Sequence, residues 1–119
     1  MKLYQKMTEE QIQKLIADVN FQKMGGLVPV VVQDTSNDKV LMQAFMNEEA
    51  LRLTLETGKM HYWSRTRNRI WMKGETSGNC SYVRSVALDC DSDSLLFRVQ
   101  QLGPCCHTGS DTCFYKSVA

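Results

Sequence analysis

The chain has 119 residues, 43% hydrophobic and 23% charged, which is ordinary for a globular protein and too apolar for a disordered one. Lys and Arg total 14 and Asp and Glu 13, a net charge of +1, so no global field draws the chain to nucleic acid or an anionic membrane and any anion site has to be local. No apolar run approaches the roughly 18–20 residues that span a bilayer, and Met1 to Lys6 shows no apolar stretch after its charges, so no membrane partner and no secretory leader are expected.

Thr8-Glu9-Glu10-Gln11 fits a capping box, and Ile12, Leu15, Ile16 and Val19 follow at helical spacing, which predicts a short amphipathic helix. Gly25-Gly26 ends that region. Leu27 to Gln33 is apolar and valine-rich, a buried-strand pattern, with Pro29 placing the strand's start there or just after. Thr35-Ser36-Asn37-Asp38 reads as a turn and Val40 to Phe45 as the partner strand. Asn47 caps a second helix with Glu48 and Glu49 at its positive end, and Gly58 suits the position after its last turn.

From Met60 onward the pattern changes to strands. His61 to Ser64 and Ile70 to Lys73 form a hairpin around Thr66-Arg67-Asn68-Arg69; Tyr82 to Leu88 and Leu95 to Val99 are further strands with the Asp91-Ser92-Asp93-Ser94 turn between them. Gly103 to Thr112 is an irregular, cysteine-bearing loop. The expected architecture is α+β, a small mostly antiparallel β-sheet domain with two short helices, occupying residues 1–119 as one domain.

Five cysteines, Cys80, Cys90, Cys105, Cys106 and Cys113, all lie in the last third of the chain. An odd count without a leader argues against a disulfide framework and predicts free thiols in the cytoplasm, either small buried hydrophobes or metal ligands.

Four segments carry possible chemistry. Asp89-Cys90-Asp91-Ser92-Asp93 gathers three mutually repelling carboxylates, a pattern that suits either a solvated turn or a hard cation such as magnesium or calcium. Gly103-Pro104-Cys105-Cys106-His107-Thr108-Gly109, followed by Cys113, has zinc-like ingredients without zinc-finger spacing; His107 is a ligand, an acid–base group or a polar loop residue. In Trp63-Ser64-Arg65-Thr66-Arg67 the two arginines alternate at strand spacing, so a continued strand would point both at one phosphate, while an edge strand guarded by charge has the same sequence. The interleaved Tyr62, Trp63 and Trp71 also permit stacking on single-stranded nucleic acid. Lys73-Gly74-Glu75-Thr76-Ser77-Gly78-Asn79 is a glycine-bracketed polar loop whose amides could hold a phosphate.

Together, in this order and spacing, the four segments, closing with Cys113-Phe114, resemble the phosphoribosyl-AMP cyclohydrolase family of histidine biosynthesis. The resemblance runs from about Val30 to Phe114. Cys105 stands where the family commonly has a small residue, and Ser81 where a glutamine is common. With the chain stopping at Ala119, the sequence resembles the single-activity form rather than the fusion with a pyrophosphohydrolase domain.

The resemblance implies a hydrolase that opens the adenine ring of 1-(5-phosphoribosyl)-AMP: water adds at C6 and the N1–C6 bond breaks, giving a formimino-imidazole carboxamide ribotide. A zinc-bound water, with its pKa lowered to about 7, would be a competent nucleophile. The family's zinc ligands map to Cys90, Cys106 and Cys113, shared between the subunits of an obligate homodimer, and its magnesium ligands to Asp89, Asp91 and Asp93. His107 is the candidate general acid–base group. Arg65, Arg67 and Lys73 are candidates for the two phosphates, and Glu75, Ser77 and Asn79 for the ring or ribose of the nucleotide substrate.

Two other readings compete. One is a structural zinc module that binds single-stranded nucleic acid through Arg65, Arg67, Trp63 and Trp71, which predicts steeply salt-dependent affinity. The other is a different zinc hydrolase acting on a purine base, with the acidic turn only structural.

Overall fold

The structure is a computed structural model and describes residues 6–119; the expectation of no secretory leader falls largely on residues 1–5, outside the described residues. No helix among the described residues is long and apolar enough to cross a membrane.

Helix α1 (Glu9–Asp18) starts on the capping box: Thr8 Oγ1 accepts from Gln11 N, and Gln11 Oε1 accepts from Thr8 N at 2.9 Å. Strands β1 (Val28–Asp34) and β2 (Val40–Met46) pair antiparallel, as expected for sequential strands joined by a short turn. Helix α2 (Glu48–Thr57) begins where Asn47 Oδ1 accepts from Ala50 N at 2.8 Å, and ends at Gly58, whose φ of 75° is the left-handed conformation that glycine adopts without penalty. Strands β3 (His61–Ser64) and β4 (Arg69–Met72) form the hairpin. Strands β5 (Ser81–Leu88) and β6 (Leu95–Gln101) complete the chain's regular structure.

The sheet order refines the expected fold in two ways. The four-stranded sheet runs β2-β1-β6-β5, while β3 and β4 stand apart as a second, two-stranded sheet. The pairing is mostly antiparallel, but β1 and β6 are parallel, from Val30–Leu95 to Asp34–Val99. This explains Pro29. The strand starts one residue earlier than the proline suggested, and β6 pairing begins only at Val30, so the missing proline N–H falls outside the β1–β6 ladder.

One face of the four-stranded sheet is the core. Val28, Val30, Val32, Leu95, Phe97, Val99 and Val83 point inward at alternating positions and meet Ile12, Leu51, Leu55 and Tyr62 from the helices and the hairpin. The opposite face carries Val31, Ala87 and Leu96; Leu96 is 36% exposed, and an apolar groove of about 240 Å³ runs past these residues to Asp89. Helix α2 is tied to β3 by Thr54, which is fully buried. Its Oγ1 donates to Ala50 O at 2.9 Å and accepts from His61 N at 2.9 Å.

Replacing Thr54 by the near-isosteric valine leaves the His61 N–H without its acceptor while keeping the side-chain volume. Thr54→Val is therefore expected to lower unfolding stability by about 1–3 kcal/mol, read as a drop in the urea midpoint with an unchanged slope.

Candidate active site

The residues with chemistry sit at the two ends of β6. The acidic turn, Asp89 to Asp93, enters the strand at Leu95; the cysteine loop leaves it after Gln101. Seven strand residues separate them, a span of roughly 20 Å.

At the first end, Asp89, Asp91 and Asp93 present oxygens that all lie within 4.8 Å of one another. The turn is shaped by Asp89 Oδ1, which accepts from the backbone N–H of Asp93 at 2.9 Å and of Ser94 at 3.1 Å, with Ser92 in the left-handed region at φ 63°. The segment after α1 docks here: Asn20 N donates to Ser92 O at 2.8 Å. That contact delivers Lys23, whose ammonium binds Asp93 and lies 3.9 Å from Asp91. Lys23 holds the Asp93 carboxyl down at about 2, while the hydrogen-bonded neighbours Asp93 and Asp89 push Asp91 up. Clustered carboxylate oxygens suit a hard divalent cation. Lys23 was invisible in the sequence because it lies 70 residues from its partner Asp93.

At the other end, the cysteine loop is folded on itself by Cys106 N to Ser110 O and Gly109 N to Cys106 O, both 3.0 Å. It is sewn to β2 by Cys113 N donating to Leu41 O at 2.7 Å and Thr112 Oγ1 to Val40 O at 2.6 Å. Asn79 Nδ2 donates to Pro104 O at 3.3 Å, and a Cβ on Gly103, where φ is 71°, would collide with the Asn79 carboxamide. Lys73 donates from its ammonium to the Cys105 carbonyl.

These ties bring the Cys113 thiol to the loop's adjacent pair, Cys105 and Cys106. The Thr108 hydroxyl, 3.1 Å from Cys106 Sγ, lowers the Cys106 thiol's pKa, whereas burial and then the neighbouring Cys105 push Cys113 up to about 12. Burial also pushes Cys105 up. Adjacent thiols with a hydroxyl donor already on one sulfur suit a thiophilic ion such as zinc. Cys90, exposed on the acidic turn, does not join them within the chain: among the described residues the aspartate triad is the only group of three or more potential ligand residues in mutual reach.

A cleft of about 530 Å³ opens beside the loop, within the usual range for a small-molecule site. Arg67, Lys73, Glu75, Ser77, Asn79, Cys106 and His107 all line it, with Trp71 as an apolar wall. Glu75 is held by Arg69 at 2.8 Å, and Ser77 Oγ accepts from Asn79 N at 3.1 Å. His107 is exposed beside Cys106.

Arg65 is not among the lining residues. Strand β3 stops at Ser64 and residues 65–68 turn, with Asn68 at φ 50°, so the two arginines do not share a direction. The Arg65 guanidinium instead stacks over the Phe45 ring at 4.1 Å from its centroid. Ser81, in place of the family's common glutamine, is fully buried and donates to Gln101 Oε1. Tyr62 is fully buried against Trp71 and is unavailable for stacking on a base. Among the described residues its hydroxyl has no hydrogen-bond partner, a burden of about 1–3 kcal/mol in a closed interior.

A family model described as phosphoribosyl-AMP cyclohydrolase matches residues 42–115. A phosphoribosyl-AMP cyclohydrolase of Clostridium botulinum is 47% identical over 107 residues, covering 90% of this chain and 97% of the relative. One from Geotalea uraniireducens is 56% identical over 98 residues, covering 82% of this chain and 78% of the relative. A histidine biosynthesis bifunctional protein of Pyrococcus furiosus is 53% identical over 108 residues, 91% of this chain and 51% of that longer protein. With the match spanning both ends of β6 and the cleft between Arg67 and His107, the chain belongs to the phosphoribosyl-AMP cyclohydrolase family of hydrolases.

Proposed function

We propose that this chain hydrolyses the N1–C6 bond of the adenine ring in 1-(5-phosphoribosyl)-AMP, a step of histidine biosynthesis, as a homodimer with zinc and magnesium. The observation that carries the reading is the cleft itself: Cys106, His107, Arg67 and the 73–79 loop converge on one nucleotide-sized space.

Cys106 and Cys113 would hold zinc, with Cys90 of the partner subunit as the third ligand. Support comes from the layout of β6. Its ends lie too far apart for one chain to complete the set, yet two copies stacked on their open Val31–Leu96 faces about a two-fold axis would place the acidic turn of one over the cysteine loop of the other. Covering that face would also remove exposed Leu96 from water and offer partners to the buried Nε atoms of Arg84 and Arg98, which have none among the described residues. Asp89, Asp91 and Asp93 would hold magnesium, with Lys23 balancing their charge.

When bound, zinc supplies the Lewis acidity that brings the pKa of water to about 7. His107 receives a proton from the attacking water and returns it to the leaving ring nitrogen as the C–N bond breaks. Arg67 offers a two-pronged donor for phosphate. Glu75, fixed by Arg69, and Asn79, fixed by Pro104, accept from and donate to the polar edges of ring or ribose. Lys73 holds the cysteine loop by the Cys105 carbonyl, and its charge favours thiolates in Cys105, Cys106 and Cys113. Trp71 shields the base from water.

Cys90→Ser and Cys106→Ser should each abolish turnover, followed by the ultraviolet change as the purine opens. Unfolding and refolding them together in equal amounts should restore about a quarter of wild-type activity, because half the dimers are mixed and each mixed dimer holds one intact site. No recovery from folded, mixed dimers would remove the shared site. Asp91→Asn is expected to abolish the response to magnesium while metal analysis still finds zinc; loss of zinc with it would make the Asp91 carboxylate part of the zinc site.

A further inference from the structure

The two loops that meet at the cleft share one half-buried side chain that the proposed reaction does not use. Gln101 is the last residue of β6, directly before the cysteine loop, and it pairs with Ser81, the first residue of β5. Its amide nitrogen donates to the Asn79 carbonyl at 2.9 Å and to the Leu102 carbonyl at 3.2 Å. Its amide oxygen accepts from the hydroxyl of Ser81, a fully buried residue. These partners fix the orientation of the carboxamide. Two carbonyls can only accept, so the nitrogen has to face them, and the oxygen is left for the hydroxyl.

Both carbonyls belong to the loops that form the cleft. Asn79 closes the 73–79 loop and lines the cleft, and its side chain donates to Pro104 O at 3.3 Å. Leu102 and Pro104 lead into Cys105 and Cys106, and Leu102 N donates to Cys80 O at 3.0 Å. Gln101 therefore holds the backbone of Asn79 while the Asn79 carboxamide holds the cysteine loop. Residues 75–78 are exposed, so packing does little to hold that stretch of the 73–79 loop.

We propose that Gln101 is a positioning residue for the ring opening: anchored by Ser81, its amide sets the distance between Asn79, on the substrate side of the cleft, and Cys106, on the metal side. It does not itself line the cleft, and it acts through the two loops. This rests on the reading of the cleft as the site of ring opening and of Cys106 as a zinc ligand.

The test measures steady-state ring opening, zinc content and amide hydrogen exchange on the full, zinc-loaded chain. Gln101→Met keeps the side-chain length and removes the amide. It should lower kcat about 10- to 100-fold with KM within about threefold and zinc retained, because misplaced groups cost the reacting geometry more than ground-state binding. The amides of Gly78 and Cys80 in one loop and of Cys106 and Gly109 in the other should exchange faster together. Gln101→Glu keeps the acceptor for Ser81 but loses the donor, and its kcat should fall with that of Gln101→Met. Ser81→Ala should move every readout the same way by less, and the double variant with Gln101→Met should be no worse than Gln101→Met alone. Thr54→Val, which loses stability away from these loops, should keep the wild-type kcat.

A wild-type kcat in Gln101→Met, a fall matched by Thr54→Val, or faster exchange in one loop only would each overturn the proposal. So would additive losses from Ser81→Ala and Gln101→Met. If Gln101→Met does not fold, a wild-type kcat in folded Ser81→Ala overturns it equally. A wild-type chain that opens no ring would overturn the functional reading, while joint loosening of both loops would still show Gln101 linking them.

Discussion

The parallel pairing of β1 with β6 sets the geometry of everything else. It places β6 between β1 and the antiparallel β5, buries Leu95, Phe97 and Val99 on one face, and leaves Leu96 on the other. A strand in that position has no freedom to bring its two flanking loops together. The acidic turn enters at one end and the cysteine loop departs from the other, so the chain holds two metal-like clusters about one strand length apart. A parallel neighbour also requires a long crossover, and the connection from β1 to β6 contains β2, α2, the hairpin and β5. The hairpin and its 73–79 loop come to rest beside the cysteine loop, which is how the cleft is made.

Electrostatics at each end is arranged by a single lysine. Lys23 approaches the aspartates from the segment after α1, and Lys73 approaches the cysteines from the end of the hairpin. The two act on opposite chemistry. Lys23 holds Asp93 ionised beside two further carboxylates; Lys73 favours thiolates in a setting where burial and neighbouring sulfurs oppose ionisation of Cys113. Neither lysine is buried in the core, and both take their positions from backbone contacts: Asn20 to Ser92 for the first, Lys73 N to Met60 O for the second.

The cysteine loop has no regular structure, yet it is tied at several points. A Cβ at Gly103 would displace the Asn79 carboxamide that holds the Pro104 carbonyl, and Thr112 and Cys113 bond to the edge strand β2. A loop held this way can keep sulfurs in place without a disulfide.

Local structure was legible in the residues. Thr8 with Gln11, Asn47 with Ala50, and Gly58 fix the helix ends through contacts within four residues, and the valine run of 28–32 marks β1 as a buried strand, although which of those valines face inward is a result of the sheet. The acidic turn, the cysteine loop and the 73–79 loop were legible too, as motifs of the family the chain belongs to. Strand order was not: β1 and β6 lie some 65 residues apart, and a hydrophobic pattern says which face is buried but not which strand lies alongside. For the same reason the sequence could not place Lys23 on Asp93, turn Arg65 onto Phe45, or keep Cys90 away from Cys106. Spacing along the chain determines direction only while one element continues. Once β3 ended at Ser64, and once β6 set a full strand between the acidic turn and the cysteines, partners were decided by packing between distant segments, which only the tertiary structure contains.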